Sequence, residues 1–219
     1  MKYLTGYTKT DGHVVLEKAV VKGINASLLV AGDLSAPGED PHAHVTGELK
    51  GIIANGFQKD FLDGVREYGV DYLQAYTFGA TLSPVSESPL LGPGCEFGTG
   101  SAGILACEGN AYVWTSEASG MCIVRIFSLF GKNRISKCVS SEVGGDDVIK
   151  LSAGDVLIAC PEFWTDNILY SVSESEDSFR ILSELVSEGQ IGGDEMFDRV
   201  LRELAGDGFK GCIAALAYV

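Results

Sequence analysis

From Ala102 to Cys160 the chain is written largely as short apolar runs broken by turn residues: AGILACEG, NAYVWTSE, GMCIVRIFSLFG and VIKLSAGDVLIAC. Each is rich in β-branched, aromatic or small residues and closes on Gly, Asn, Ser or Asp, which reads as successive strands rather than helices. The spacing predicts turns at 108–110, 118–120 and 152–155, and GGDDVIK keeps Asp146 and Asp147 as turn residues. Upstream, VVLEKAVV (14–21) and SLLVAG (27–32) add two strands around KGIN, GTGSAGILAC opens another, and GCIAALAYV closes the chain as a buried strand.

Helical spacing is confined to other stretches. Val45, Leu49, Ile52 and Ile53 make one apolar face, and Phe57, Phe61, Leu62 and Val65 a second. DSFRILSELVSEG and DEMFDRVLRELAG are amphipathic and each ends at glycine, as a C-cap requires. DLSAPGEDPHAH (33–44) and the Gly/Ser/Pro-rich 79–101 lack apolar periodicity and read as loops. Strands and helices do not alternate regularly, so a doubly wound parallel sheet fits poorly. Antiparallel sheets covered by helices fit better.

With 219 residues, 46% of them hydrophobic, the chain suits one domain over 1–219. Thirty acids against sixteen bases give a formal charge of −14, which argues against nucleic acid and anionic membranes as partners. It suits divalent cations, basic peptides or a solvated surface. No run resembles a transmembrane span or a signal peptide. The six cysteines show neither CxxC nor Cys–His spacing, which predicts a reducing, cytoplasmic setting without disulfides or structural zinc.

Acids stand where apolar strands end. Asp33 follows SLLVAG, Glu162 and Asp166 follow DVLIAC, and Asp207 precedes the last strand. If these strands share a sheet, their ends gather carboxylates from distant parts of the chain. Such a cluster needs a compensating cation, and Mg²⁺ or Mn²⁺ takes oxygen ligands of this kind. The competing reading makes the same acids caps and turn formers: Asp166 capping a helix, Asp207 turning at Gly208. His42 and His44 lack a third ligand, and no P-loop, dinucleotide fingerprint or nucleophile elbow is present.

The order of segments resembles the metal-dependent serine/threonine phosphatases of the PPM type. SLLVAGDLSAPGED is similar to that family's strand ending in Asp-Gly, with Asp33 at the bridging metal position and Leu34 at the glycine. GTGSAGIL resembles its Gly-Ser/Thr-Thr segment, and Glu117-Ala118-Ser119-Gly120 its Gly-Asp-Ser-Arg turn. GDVLIACPEFWTD resembles Gly-Asp-x-strand-Ser-Asp-Gly-Leu-x-Asp, placing Glu162 at the metal-binding aspartate and Phe163 at the glycine. Asp207 falls at the closing metal-ligand aspartate. The first acidic motif falls on Leu16-Glu17-Lys18 and keeps only its glutamate.

The resemblance implies an α/β sandwich (α+β) of two central antiparallel β-sheets flanked by helices. It also implies Mg²⁺ or Mn²⁺ held by Asp33, Glu162 and Asp207, with Glu17 helping through bound water. The ions would activate that water toward a phosphoserine or phosphothreonine substrate. Lys18, where the family has an acid, either pairs with substrate phosphate or neutralises Asp33 in place of a cation. The alternative is a catalytically inactive relative that binds or regulates a protein partner, since fold alone does not decide function.

Overall fold

The computed structural model describes residues 3–21, 24–33, 100–107, 109–115, 119–130, 132–140, 145–165 and 194–219. Strands β1 (Tyr3–Lys9), β2 (His13–Val21), β3 (Ile24–Asp33), β4 (Gly100–Cys107) and β5 (Asn110–Thr115) come first. They are followed by β6 (Met121–Leu129), β7 (Lys132–Ser140), β8 (Gly145–Lys150) and β9 (Val156–Pro161), then helix α1 (Asp194–Ala205) and β10 (Cys212–Tyr218). The strands form two five-stranded sheets, one in the order β1-β10-β9-β6-β7 and the other β2-β3-β4-β5-β8. Every pairing is antiparallel.

The fold is therefore two antiparallel sheets packed face to face with helix on the outside, the sandwich expected above. Leu29, Ile104 and Val113 from one sheet meet Ile123, Leu157 and Leu216 from the other in a shared core. Strands β9 and β10 are buried on both faces, which is why VLIACP and CIAALAY read as unbroken apolar runs. Their outward side chains, including Ile158 and Ala215, lie beneath α1. The apolar stripe of α1 is Phe197, Val200, Leu201 and Leu204, spaced as one helical face requires. Asp194 and Glu195 in its first turn and Arg202 in its last complement the helix dipole. Gly206, at φ 73°, ends it in the left-handed conformation expected of the C-cap glycine.

The sequence reading departs from the structure at three elements. Asp146 and Asp147 are not turn residues; they pair with Trp114 and Val113 inside β8. Their carboxylates belong to a strand at the edge of its sheet, where charged side chains are tolerated. Strand β7, KNRISKCVS, is also an edge and too polar to show a strand's apolar signal. Strand β1, YLTGYTK, is obscured by its glycine and threonines, yet five of its seven residues are buried, with α1 against its free side. The helices expected over 45–73 and 177–189 lie outside the described residues. Among the described residues, no helix is long and apolar enough to cross a membrane.

Candidate functional site at one end of the sandwich

Antiparallel pairing sends the end of β3, the end of β9, the turn between β1 and β2 and the approach to β10 to the same end of the molecule. Gly32 pairs with His13, so Asp33 emerges beside Gly12. Gly12, at φ 78°, bridges the two sheets: a Cβ there would lie 3.1 Å from Gly32 O and 3.3 Å from Cys212 Sγ. Thr10 clamps the segment entering β10. Its hydroxyl donates to Phe209 O (3.1 Å) and accepts from Gly211 N–H (3.2 Å), while its own N–H donates to Gly211 O (2.9 Å). Gly211, at φ 115°, approaches Pro161 so closely that a Cβ would meet its ring at 3.2 Å.

Glu162 opens a helical turn directly after β9, and its N–H donates to Gly120 O at 2.8 Å. Two positions on, the buried Trp164 packs edge-on against Phe209, with ring centroids 6.0 Å apart. This contact ties the Glu162 turn to the loop that carries Asp207. Phe163 points to solvent at 63% exposure.

The segments carrying three sequence-predicted acids, Asp33, Glu162 and Asp207, thus converge on one end. Asp207 is exposed in a turn between Gly206 and Gly208, both at positive φ, which matches the turn alternative. The side chain of Asp33 and the whole of Asp166, His42 and His44 lie outside what the structure describes. Glu17 pairs with Leu28, five positions before Asp33. At about 3.4 Å per residue that separation is roughly 17 Å along the strand. Lys18 faces Ser27, and its ammonium engages Asp194 Oδ2 at 2.5 Å at the start of α1. The expectation that it neutralises Asp33 is therefore corrected: the helix carboxylate holds it instead.

Asp11 was missed by the sequence reading and stands at this end, next to Gly12; its Oδ1 accepts the Gly12 N–H at 2.9 Å. Its signal is the Asp-Gly pair before the apolar run of β2, the same arrangement as Asp207-Gly208 before β10. Among the described residues, no group of three His, Cys, Asp or Glu side chains lies close enough to hold a metal ion.

No protein-family model matches the chain, and no curated protein matches it. In structure it is similar to several phosphatase domains of the PPM/PP2C type at low sequence identity. One is a serine/threonine phosphatase of S. agalactiae, with 11% identity, 100% of each chain covered and a TM-score of 0.49. Another is the Mycobacterium tuberculosis serine/threonine phosphatase PstP/Ppp, with 12% identity, 99% of this chain and 98% of that one covered, and a TM-score of 0.49. A third is the PP2C phosphatase domain, with a fragment of the regulatory domain, of SpoIIE from Bacillus subtilis, with 11% identity and a TM-score of 0.42. The match covers 99% of this chain, which spans 63% of the SpoIIE chain.

Proposed function

We propose that this chain is a phosphatase-like scaffold that binds or regulates a protein partner, in preference to a metal-dependent phosphoprotein hydrolase. The observation that carries this reading is the spread of the acids. Glu17 sits about 17 Å along the strand from Asp33, by its register opposite Leu28. Asp207 faces solvent in a turn. Mg²⁺ takes near-ideal octahedral oxygen coordination at about 2.0–2.1 Å, which demands converging donors. Among the described residues, no three His, Cys, Asp or Glu side chains converge in that way.

Phe163 supports the binding alternative from the other side. The resemblance has glycine there, and this chain instead places an exposed aromatic ring beside Glu162. Aromatic residues are over-represented among the anchors of protein interfaces. Hydrolysis of a phosphoserine or phosphothreonine protein stands as the second reading, favoured by the convergence of the Asp11, Asp33 and Glu162 segments.

Calorimetric titration with Mn²⁺ and Mg²⁺, paired with hydrolysis of a phosphothreonine peptide, tests the choice. The expected result is no saturable ion binding and no metal-dependent turnover above that of Asp33→Asn. Saturable Mn²⁺ binding and turnover, both lost in Asp33→Asn, would overturn the proposal in favour of the enzyme.

A further inference from the structure

Beneath the helical turn that carries Glu162 lie two cysteines that the candidate site does not use. Cys122 in β6 and Cys160 in β9 are directly paired across neighbouring antiparallel strands. Both side chains point to the outer face of the sheet, into the core under α1, and both are fully buried. Their sulfurs are 3.8 Å apart, and Cys122 Sγ also lies 3.6 Å from Cys160 O. Thr165, the last described residue of the turn, closes the group. Its Oγ1 is 2.7 Å from Cys122 Sγ and 3.7 Å from Cys160 Sγ, and it donates to Pro161 O at 3.3 Å. Both cysteines are free thiols.

We propose that Cys122 and Cys160 are a redox-active dithiol that closes to a cross-strand disulfide and thereby resets the helical turn bearing Glu162 and Trp164. Directly opposed residues in an antiparallel pair have Cα atoms about 4.5–5.5 Å apart, within the range a disulfide spans. The backbone therefore already has the required spacing. Closing the sulfurs from 3.8 Å to a bond of about 2.05 Å needs side-chain rotation rather than strand movement. That rotation takes Cys122 Sγ out of its contact with Thr165 Oγ1. Because Thr165 and Trp164 share one turn, and Trp164 packs on Phe209, the change reaches the loop leading to β10.

A peroxide is the oxidant class that suits the burial, since it is close to water in size. Cys122 gives up its proton, its thiolate attacks one peroxide oxygen, the O–O bond breaks and the leaving hydroxide takes that proton as water, giving a sulfenic acid on Cys122. The Cys160 sulfur then attacks the Cys122 sulfur and displaces that hydroxyl, which departs as water with the Cys160 proton. Two thiols and one peroxide become one disulfide and two waters. The two thiols are unequally placed, with Thr165 Oγ1 2.7 Å from Cys122 Sγ and 3.7 Å from Cys160 Sγ. The hydrogen bonds from Cys160 and then Thr165 draw the Cys122 thiol below its usual range against the opposing effect of burial. The same bond to Cys122, followed by complete burial, pushes Cys160 well above it.

The test treats the intact chain with hydrogen peroxide, alkylates the remaining thiols and maps peptides by mass spectrometry. The expected result is that Cys122 and Cys160 escape alkylation together, with one Cys122–Cys160 linked peptide that dithiothreitol reverses. In Cys160→Ser, the same treatment is expected to leave a Cys122 sulfenic acid that a dimedone probe captures. Hydrogen exchange at 162–165 is expected to differ between the reduced and oxidised wild type. Irreversible sulfinic or sulfonic acid at Cys122 without the linked peptide would overturn the proposal, as would pairing with another cysteine. Unchanged exchange in a fully linked protein would overturn the coupling to the turn. The wild-type mapping stands alone if the variant fails to fold.

Discussion

Gly103 faces Trp114 across β4 and β5, and the indole lies over the glycine so closely that a built Cβ would overlap Cζ2 and Cε2 of the ring. Trp114 is 4% exposed, so it has little room to withdraw. Overpacking a rigid interior of this kind costs about 1–3 kcal/mol, and here the top of that range is expected. Urea denaturation of Gly103→Ala should show a loss of about 3 kcal/mol. Combining it with Trp114→Leu should give a smaller loss than the sum of the single changes, because they share one obstacle. Additive costs would place the obstacle elsewhere. A different single-residue commitment holds the turn at 152–155. Asp155, 2% exposed, accepts the Ser152 N–H at 2.8 Å and an Arg125 Nη2 hydrogen bond at 2.6 Å. A buried carboxylate persists when its hydrogen bonds and charge partner are supplied together in this way.

At the scale of elements, α1 and β1 solve a problem that neither solves alone. Strand β1 ends its sheet and would present unpaired N–H groups. Asp194 Oδ1 accepts the Thr5 N–H at 3.1 Å and Asp198 Oδ1 accepts the Tyr7 N–H at 2.7 Å. Residues two apart on a strand thus meet residues four apart on a helix face. Gly6 between them permits the approach, since a Cβ there would lie 2.9 Å from both Asp198 Oδ1 and Phe197 Cδ1. The partial burial this creates raises the Asp198 pKa above the ordinary carboxylate value, opposed in part by the Tyr7 hydrogen bond. A raised folded-state pKa means that this group's contribution to stability is fully present below its unfolded value. The contribution is lost as pH rises through the folded value. Asp198→Asn keeps an oxygen for Tyr7 and removes that titration. Thermal unfolding of both proteins across the acid range should show the variant gaining relative to wild type as pH rises, then levelling off. A difference independent of pH would show that Asp198 is not the titrating group.

The whole molecule depends on one core made jointly by both sheets, with Leu29 and Val113 on one side and Ile123 and Leu216 on the other. Neither sheet keeps its inner face dry without its partner, so cooperative loss is expected. Two tryptophans report on opposite sheets: Trp114 on β5, and Trp164 on the turn after β9. Variants Trp114→Phe and Trp164→Phe, each retaining one indole, should give coincident fluorescence midpoints in urea. Separated midpoints would show that the sheets unfold independently.

Legibility in the sequence followed how local each signal was. Strands β2 to β6, β9 and β10 and helix α1 were readable because their side-chain periods sit within a single short window. The polar edge β7 and the glycine-interrupted β1 were not, because their identity as strands comes from neighbours distant in the chain.

The sequence by itself determined antiparallel strands covered by helices, with acids at strand ends, since side-chain period and turn chemistry are local properties; two sheets were implied only by the resemblance. Only the tertiary structure decided which of those residues meet. Register set Glu17 opposite Leu28, five positions along β3 from Asp33. Packing of α1 handed Lys18 to Asp194, 176 positions away in the chain, and the β6–β9 register set Cys122 against Cys160. The physical reason is that a one-residue change of register moves every side chain to the opposite face, and register is set by the packing of whole sheets.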